Sequence, residues 1–243
     1  MAILHLHSVF TFLFMLILSI DTSTASCSVA LHQGLQLLGC YELFTERTSA
    51  AMLTTLIHDV VQQAGYELMH LDALAVAKGP GSYTGLRIAV STAKGLCFAL
   101  DKPLLAINTL TAMAEQVRAY YPADYLLCPM IDARRMEVYC ALYDTTGRER
   151  QPTSAQIIDQ TSFSDWLKEG PVVFFGDGAA KCKSLLSDQP NAVFPAIHLV
   201  PSARTVGQLA VQAYADGQFE DLASIEPFYL KDFMTTQPRK MVL

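Results

Sequence analysis

The chain has 243 residues, 51% hydrophobic and 16% charged, with a mean hydropathy of +0.27 and a formal net charge of −6. That length suits one large domain or two small lobes, and so little charge implies efficient burial or an apolar surface covered by a partner. The acidic balance, without any Lys/Arg run, makes the chain by itself a poor candidate for gripping phosphate backbones. Its six cysteines, scattered through apolar runs with no CxxC pair, point to buried free thiols in a reducing, cytoplasmic compartment and away from a disulfide framework or a zinc site.

Val9 to Ile20 is almost wholly apolar, and Ser23-Thr-Ala25 has the small residues of a signal-peptidase site. No Lys or Arg precedes that run, however, and it is too short to span a bilayer as a helix. It also flows into Leu16-Ile-Leu-Ser-Ile-Asp21, which reads as a first core strand. Residues 1–14 are therefore expected to be an extension, with Met15 at a natural start, and no membrane association is expected.

Leu16–Ile20, Cys27–Leu31 and Gln36–Leu43 read as an antiparallel meander, with turns at Asp21–Ser26 and near His32–Gly34. Asp21 stands among hydroxyl residues at the end of the first strand. Such a turn suits a phosphate or a metal-bound water; it is equally an Asx/ST turn that closes a hairpin. Thr48 or Ser49 caps a helix to Ala64 that carries Met52, Leu53, Leu56, Ile57, Val60 and Val61 at helical spacing, and Gly65 stops it. His58 has no second His three or four positions away, as a helical metal pair would require.

Ala73–Ala77 is a short buried strand. It leads into Lys78-Gly-Pro-Gly-Ser-Tyr-Thr-Gly-Leu-Arg87, a strand-to-helix turn. Gly79 and Gly81 are free to take positive φ, Pro80 sets the turn between them, and Ser82 or Thr84 caps the helix that follows to Leu100. A helix start with about four unpaired N–H groups suits phosphate or carboxylate, and Arg87 adds a charged fork. The alternative is a tight, capped turn with no ligand. Along this helix Gly85, Ala89 and Ala93 recur every fourth residue, with Thr92 beside them. Such a stripe admits close approach, either of this chain's own sheet and first helix or of a partner.

Pro103–Ile107 is a further strand, and Thr109 caps a helix through Tyr120. The first half thus reads βββαβαβα, a mixed five-stranded sheet with helices on its faces. The second half reads as a degenerate copy. Tyr125–Ile131 ends in Asp132 as the first strand ends in Asp21; Glu137–Tyr143 and Gln151–Ile158 complete the meander. A short helix 163–168, a strand 171–175, a helix 179–186 and a helix 203–215 capped by Ser202 follow, and His198–Leu199 starts a strand or loop. The chain from Pro227 onward is an expected extended tail. The resulting division is an extension 1–14, a first lobe 15–107, a second lobe 108–224 and a tail 225–243.

Two duplicated lobes, each with Asp at the end of its first strand, resemble the α/β, two-lobed actin/hexokinase/Hsp70-like (ASKHA) fold, each lobe a mixed β-sheet with flanking helices. Four stretches carry a closer resemblance: Ile17-Leu-Ser-Ile-Asp-Thr-Ser-Thr24 with Cys27–Leu31; the motif Lys78 to Leu96; Ile131-Asp-Ala-Arg-Arg-Met-Glu-Val-Tyr139; and Glu226-Pro-Phe-Tyr-Leu-Lys231. Together they are similar to the TsaB family, a subunit of the bacterial tRNA threonylcarbamoyladenosine machinery, over nearly everything after residue 14. The second motif is the specific one.

The resemblance implies a non-catalytic scaffold and activator. TsaB-like proteins pair with TsaD, the paralogue that transfers the threonylcarbamoyl group to the adenosine beside the anticodon of ANN-decoding tRNAs. They also recruit the ATPase TsaE and self-associate without TsaD; older names call both paralogues glycoproteases. TsaD-type chains carry an HxxxH metal motif, yet Thr48–Ile57 holds no His, and Gly176-Asp-Gly-Ala-Ala180 lacks the Asn that TsaD uses over adenosine. No metal ligand set is expected here, and no intrinsic cofactor. The family's paired helices imply a partner interface at Met52, Leu53, Leu56, Ile57, Gly85, Ala89, Thr92 and Ala93. ATP or ADP shared with TsaD is expected at Asp21, Gly79, Gly81, Ser82, Thr84 and Arg87, and tRNA is expected mainly through partners. The rival classes are a glycoprotease-type metallopeptidase, which needs a ligand-spaced metal set, and a small-molecule kinase of the same superfold, which needs a complete nucleotide site across both lobes.

Overall fold

A computed structural model describes residues 14–45 and 49–231. Residues 1–13 of the expected extension, Thr48 as a helix cap, and the tail beyond residue 231 lie outside the described residues.

Among the described residues ten strands form two five-stranded sheets. The first contains β1 (Leu16–Asp21), β2 (Cys27–Gln33), β3 (Gln36–Leu43), β4 (Ala73–Gly79) and β5 (Leu104–Asn108) in the order β3-β2-β1-β4-β5. The second contains β6 (Leu126–Asp132), β7 (Glu137–Asp144), β8 (Glu149–Ile157), β9 (Val172–Phe175) and β10 (Ala192–Val193) in the order β10-β9-β6-β7-β8. In each sheet a three-stranded antiparallel meander is extended by two parallel strands on the far side of its first strand. The duplication expected from the sequence is thus present strand for strand, and the fold is the two-lobed actin/hexokinase-like one.

Among the described residues these sheets are covered by the helices α1 (Ser49–Gln63), α2 (Tyr83–Leu100), α3 (Thr109–Val117), α4 (Ser164–Glu169), α5 (Asp177–Leu186) and α6 (Ala203–Ala215). β1 is buried along its whole length because both faces are covered, which explains its unbroken apolar run. Leu16, Leu18 and Ile20 face α1 and α2, where they meet Leu53, Leu56, Ile57, Ala89 and Ala93. Ile17 faces the other way, with Ala73 and Ala75, onto α3 and α6 through Ala112, Val206 and Ala210.

α3 also reaches the second sheet: Leu110, Met113 and Val117 pack with Leu127, Ile131 and Tyr143. α4 and α5 cover that sheet's outer face through Leu167, Cys182 and Leu186. The layers therefore run α1/α2, first sheet, α3/α6, second sheet, α4/α5.

Three expectations change, the first at the start of α3, where the cap is Asn108 and not Thr109: the Asn108 side chain accepts from the Leu110 and Thr111 amides. Helix 203–215, assigned to the second lobe, packs on the first sheet, and Glu220 bridges to Leu104 on β5. α3 stops at Val117 and continues as a single 3-10 turn, Arg118–Tyr120. No secondary-structure element forms at His198–Leu199. Among the described residues no helix is long and apolar enough to cross a membrane.

Candidate functional site

The ends of β1 and β4 are joined by direct backbone contact between the Asp21 turn and the glycine turn. The Ser82 amide donates to Ser23 O at 2.6 Å, and Thr22 Oγ1 donates to Gly85 O at 2.6 Å. A Cβ on Gly81 would stand 2.2 Å from Ser23 O, and one on Gly85 1.9 Å from Thr22 O. Both glycines are therefore required by the approach of one chain segment to another. Gly79 has φ +115 and follows the same logic, because Phe228 O lies 2.9 Å from where its Cβ would be.

Ser82 is the cap of α2: its Oγ accepts from the Gly85 amide at 3.3 Å, and its carbonyl accepts from the Leu86 amide at 2.9 Å. Thr84 is exposed on the first turn. Arg87 is also exposed, and its guanidinium donates to the Tyr83 hydroxyl at 3.1 Å while lying 5.4 Å from that ring's centre. Three backbone donors at this helix start, those of Ser82, Gly85 and Leu86, are thus engaged within the chain.

The two equivalent aspartates sit in opposite surroundings. Asp21 is buried; its Oδ1 accepts from the Ser23 amide at 2.8 Å and the Ser23 hydroxyl at 2.6 Å. Its Oδ2 has no partner among the described residues. Burial pushes its pKa up to about 6, although the Ser23 bonds pull it down. Asp132 is exposed and accepts from Lys181 Nζ and from the Arg134 amide, the latter at 2.7 Å. Its partial burial is outweighed by Lys181, which holds the carboxyl below its usual value. Lys181 also donates to Arg135 O and Glu137 O, each at 2.7 Å, so this ammonium pins the whole turn between β6 and β7.

A buried polar row continues from Asp21 beneath α6. Ser28 Oγ accepts from the Ala203 amide at 2.8 Å. Gly207 passes directly over Ser19 and His32, whose Oγ and Nδ1 lie 2.8 and 2.3 Å from its missing Cβ. Burial lowers the His32 pKa to about 4, with Arg204 acting the same way, so the ring is neutral.

The candidate partner face needs correction. Leu53, Leu56, Ile57, Gly85, Ala89 and Ala93 are all buried by this chain's own sheet, Ala89 completely. The stripe of small residues is where α2 meets β1 and the Asp21 turn. Met52 is exposed and Thr92 half-buried, and they remain on the solvent side. The outward face of α2 instead presents Arg87, Ser91, Gly95, Phe98 and Ala99, with Ile88 and Leu96 half-buried at its margins. Phe98 is 84% exposed, and nothing lies within 4 Å of a Cβ added at Gly95. Ser91, Gly95 and Ala99 form a second small-residue stripe at the same spacing of four, this one open.

The sequence reading missed the tail as part of the site. Lys94 Nζ donates to Ile225 O at 3.2 Å, the Phe228 amide to Lys78 O at 2.7 Å, and Lys231 Nζ to Ala133 O at 3.2 Å. Tyr229 stacks on Tyr83. The segment 225–231 thus runs from the glycine turn of the first lobe to the Asp132 turn of the second. The pairing of Phe228 with Lys78, 150 positions earlier, had no local signal. Among the described residues no group of three or more His, Cys, Asp or Glu stands together as a metal cage.

The sequence profile described as "TsaD: tRNA N6-adenosine threonylcarbamoyltransferase" matches residues 43–195. The "tRNA threonylcarbamoyladenosine biosynthesis protein TsaB" of Bacillus subtilis (strain 168) is 33% identical over 180 residues, 72% of this chain and 76% of that protein. Its namesake from Escherichia coli (strain K12) is 30% identical over 222 residues, 90% of this chain and 95% of that one. The solved structure of YeaZ from Pseudomonas aeruginosa superposes with a TM-score of 0.76 at 30% identity, covering 89% of this chain and all of that one. With such likeness over nearly its whole length, in sequence and in fold, the chain belongs to the TsaB family.

Proposed function

We propose that this chain serves tRNA threonylcarbamoyladenosine biosynthesis as a non-catalytic scaffold and activator. It binds the TsaD-type transferase through the outward face of α1 and α2 and presents the pair to the ATPase TsaE. The observation that carries the reading is the likeness to E. coli TsaB over 95% of that protein. The sequence supports the non-catalytic part: no His occurs in Thr48–Ile57, so a metal that polarises a carbamoyl carbonyl has no imidazole pair to hold it there.

On this reading the docking surface is Met52 and Thr92 together with Ser91, Gly95, Phe98 and Ala99. An exposed glycine in a helix interior costs about 0.5–1 kcal/mol relative to Ala, a cost that close approach of a partner helix offsets. The same face serves self-association when TsaD is absent. ATP or ADP is held jointly with the partner, with Thr84 and Arg87 as this chain's exposed contributions.

Co-purification with TsaD and TsaE from the same organism, followed by a tRNA modification assay with this chain omitted, tests the reading. Loss of product without it, restored on adding it back, is the expected result. Full modification without it, or tight stoichiometric ATP binding by the isolated chain, would sink the scaffold role.

A further inference from the structure

A stripe of alternating aromatic and cationic side chains crosses from one lobe to the other along the tail. At the first-lobe end Arg87 lies over Tyr83, and Tyr83 stacks on Tyr229 with ring centres 4.8 Å apart and planes 29° apart. Two residues on, Lys231 lies 5.8 Å from the centre of the Tyr139 ring and pairs with Glu137. Ala133, which also accepts from Lys231, leads directly into Arg134 and Arg135. Phe228, Tyr229, Tyr83 and Met136 are each more than a third exposed along this path.

Two features single out the second-lobe end. Arg134 and Arg135 have φ of 70 and 52, consecutive left-handed residues in a tight turn whose backbone favours Asn or Gly. Both side chains are exposed, so no core packing offsets that backbone cost. Nearby carboxylates are engaged within the chain: Lys181 pairs with Asp132, which also feels Arg134, and Lys231 pairs with Glu137, while Glu226 is exposed. Among the described residues no ion pair engages Arg87, Arg134 or Arg135.

We infer that this stripe is a binding site for an unpaired stretch of RNA, so that the chain touches the tRNA directly. The inference rests on the proposed role in tRNA modification. Single-stranded nucleic acid is held by aromatic faces that stack bases and by cations that track phosphates, and both are interleaved here. Guanidinium groups favour this occupant over an acidic peptide, because they bind phosphate oxygens in pairs and stack on planar bases. The chain's net charge of −6 disfavours contact with phosphates over most of the remaining surface.

The test is fluorescence anisotropy of the full chain with a labelled RNA stem-loop carrying an ANN-decoding anticodon loop. A duplex RNA of the same composition and a polyglutamate peptide serve as competitors. Three phosphate contacts give a slope of log K against log salt of about −2. The double variant Arg134→Asn/Arg135→Gly removes both charges while easing the turn's backbone, so the fold is retained. It is expected to lose at least about tenfold in affinity at low salt and to flatten the slope to about −0.7. Tyr229→Ala is expected to lose about five-fold or more, and Tyr229→Phe to restore binding.

No saturable binding below about 100 μM overturns the inference. So does affinity unchanged in the double variant, equal binding of the duplex, or displacement by polyglutamate as effective as by RNA. Co-purification with TsaD, measured on the same proteins, separates the two levels. If it succeeds while RNA binding fails, only the RNA site falls; if the parent chain fails to co-purify, the scaffold role falls.

Discussion

Thr22 and Gly85 are locked to each other in both directions: the Thr22 hydroxyl donates to Gly85 O at 2.6 Å, and Thr22 O lies 1.9 Å from where a Gly85 Cβ would stand. This contact joins the Asp21 turn to the start of α2, so the angle of the proposed docking helix is set by the first strand pair. The Gly85→Ala protein should be destabilised by about 2 kcal/mol or more, since a backbone carbonyl cannot yield cheaply to the added methyl. Gly95→Ala, on the open face of the same helix, should gain about 0.5–1 kcal/mol. Urea unfolding of the two variants beside the parent reads both signs.

The two small-residue stripes of α2 should respond differently to bulk. Ala89 is fully buried against the first sheet, so Ala89→Trp is expected to cost about 3 kcal/mol or more and to lose TsaD binding through misfolding. Gly95→Arg leaves the core untouched and replaces a poor helix former with a good one, so its melting temperature should hold or rise. Its affinity for TsaD should fall by at least about tenfold if Ser91, Gly95 and Ala99 are the approach surface. Undiminished TsaD binding by a folded Gly95→Arg protein would place the interface elsewhere.

The pH dependence of stability carries the mark of Asp21. Its pKa in the folded protein is raised to about 6 from 3.8, so folding binds the proton more tightly than the unfolded chain does. The associated stabilisation is complete below pH 3.8 and is lost as pH rises through 6, on the order of 3 kcal/mol in all. Asp21→Asn keeps an acceptor for Ser23 and removes the buried charge. The stability difference, variant minus parent, should therefore grow between pH 4 and 6 and level off above.

His32 works in the opposite sense. Its folded pKa is lowered to about 4 from 6.5, so its contribution is complete above pH 6.5 and is lost as pH falls through 4. In the parent the two groups partly cancel between pH 4 and 6. With Asp21→Asn in place, acid unfolding should steepen over that window. An acid limb unchanged by the substitution would remove Asp21 from the balance.

The thiols supply a check on burial. Cys27, Cys97, Cys128, Cys140 and Cys182 are buried, and only Cys40, on β3, is partly exposed. Burial raises the Cys97 thiol to about 12 and the Cys27 and Cys182 thiols to about 11. Cys40 also rises to about 11, through burial first and then the Glu42 carboxylate. Aromatic disulfide reagents at pH 8 should therefore label the native protein slowly, Cys40 first, and all six thiols promptly in denaturant.

The duplicated order of strands, the Asp at the end of each first strand, the Ser82 cap and the glycine turn were legible in the sequence. They rest on local periods, on cap chemistry and on glycine at tight turns, all of which a few neighbouring residues express. The four motifs also sufficed to mark the TsaB family. The sequence left the glycine turn open between an anion cradle and a tight turn; Ser23 O and Thr22 O now fill the space beside Gly81 and Gly85.

Which face of α2 looks outward was a matter for the tertiary structure. Gly85/Ala89/Ala93 and Ser91/Gly95/Ala99 are both small stripes at spacing four, and periodicity does not say which one the first sheet claims. The same holds for α6, which follows the second lobe in sequence but buries Val206 and Ala210 against the first sheet. It holds again for the tail, whose Phe228 amide meets Lys78 O 150 positions earlier in the chain. Side-chain spacing determines that a face must be covered, whereas the covering surface is chosen by non-local packing, because apolar burial is non-directional and only the assembled sheets decide which surface stands opposite.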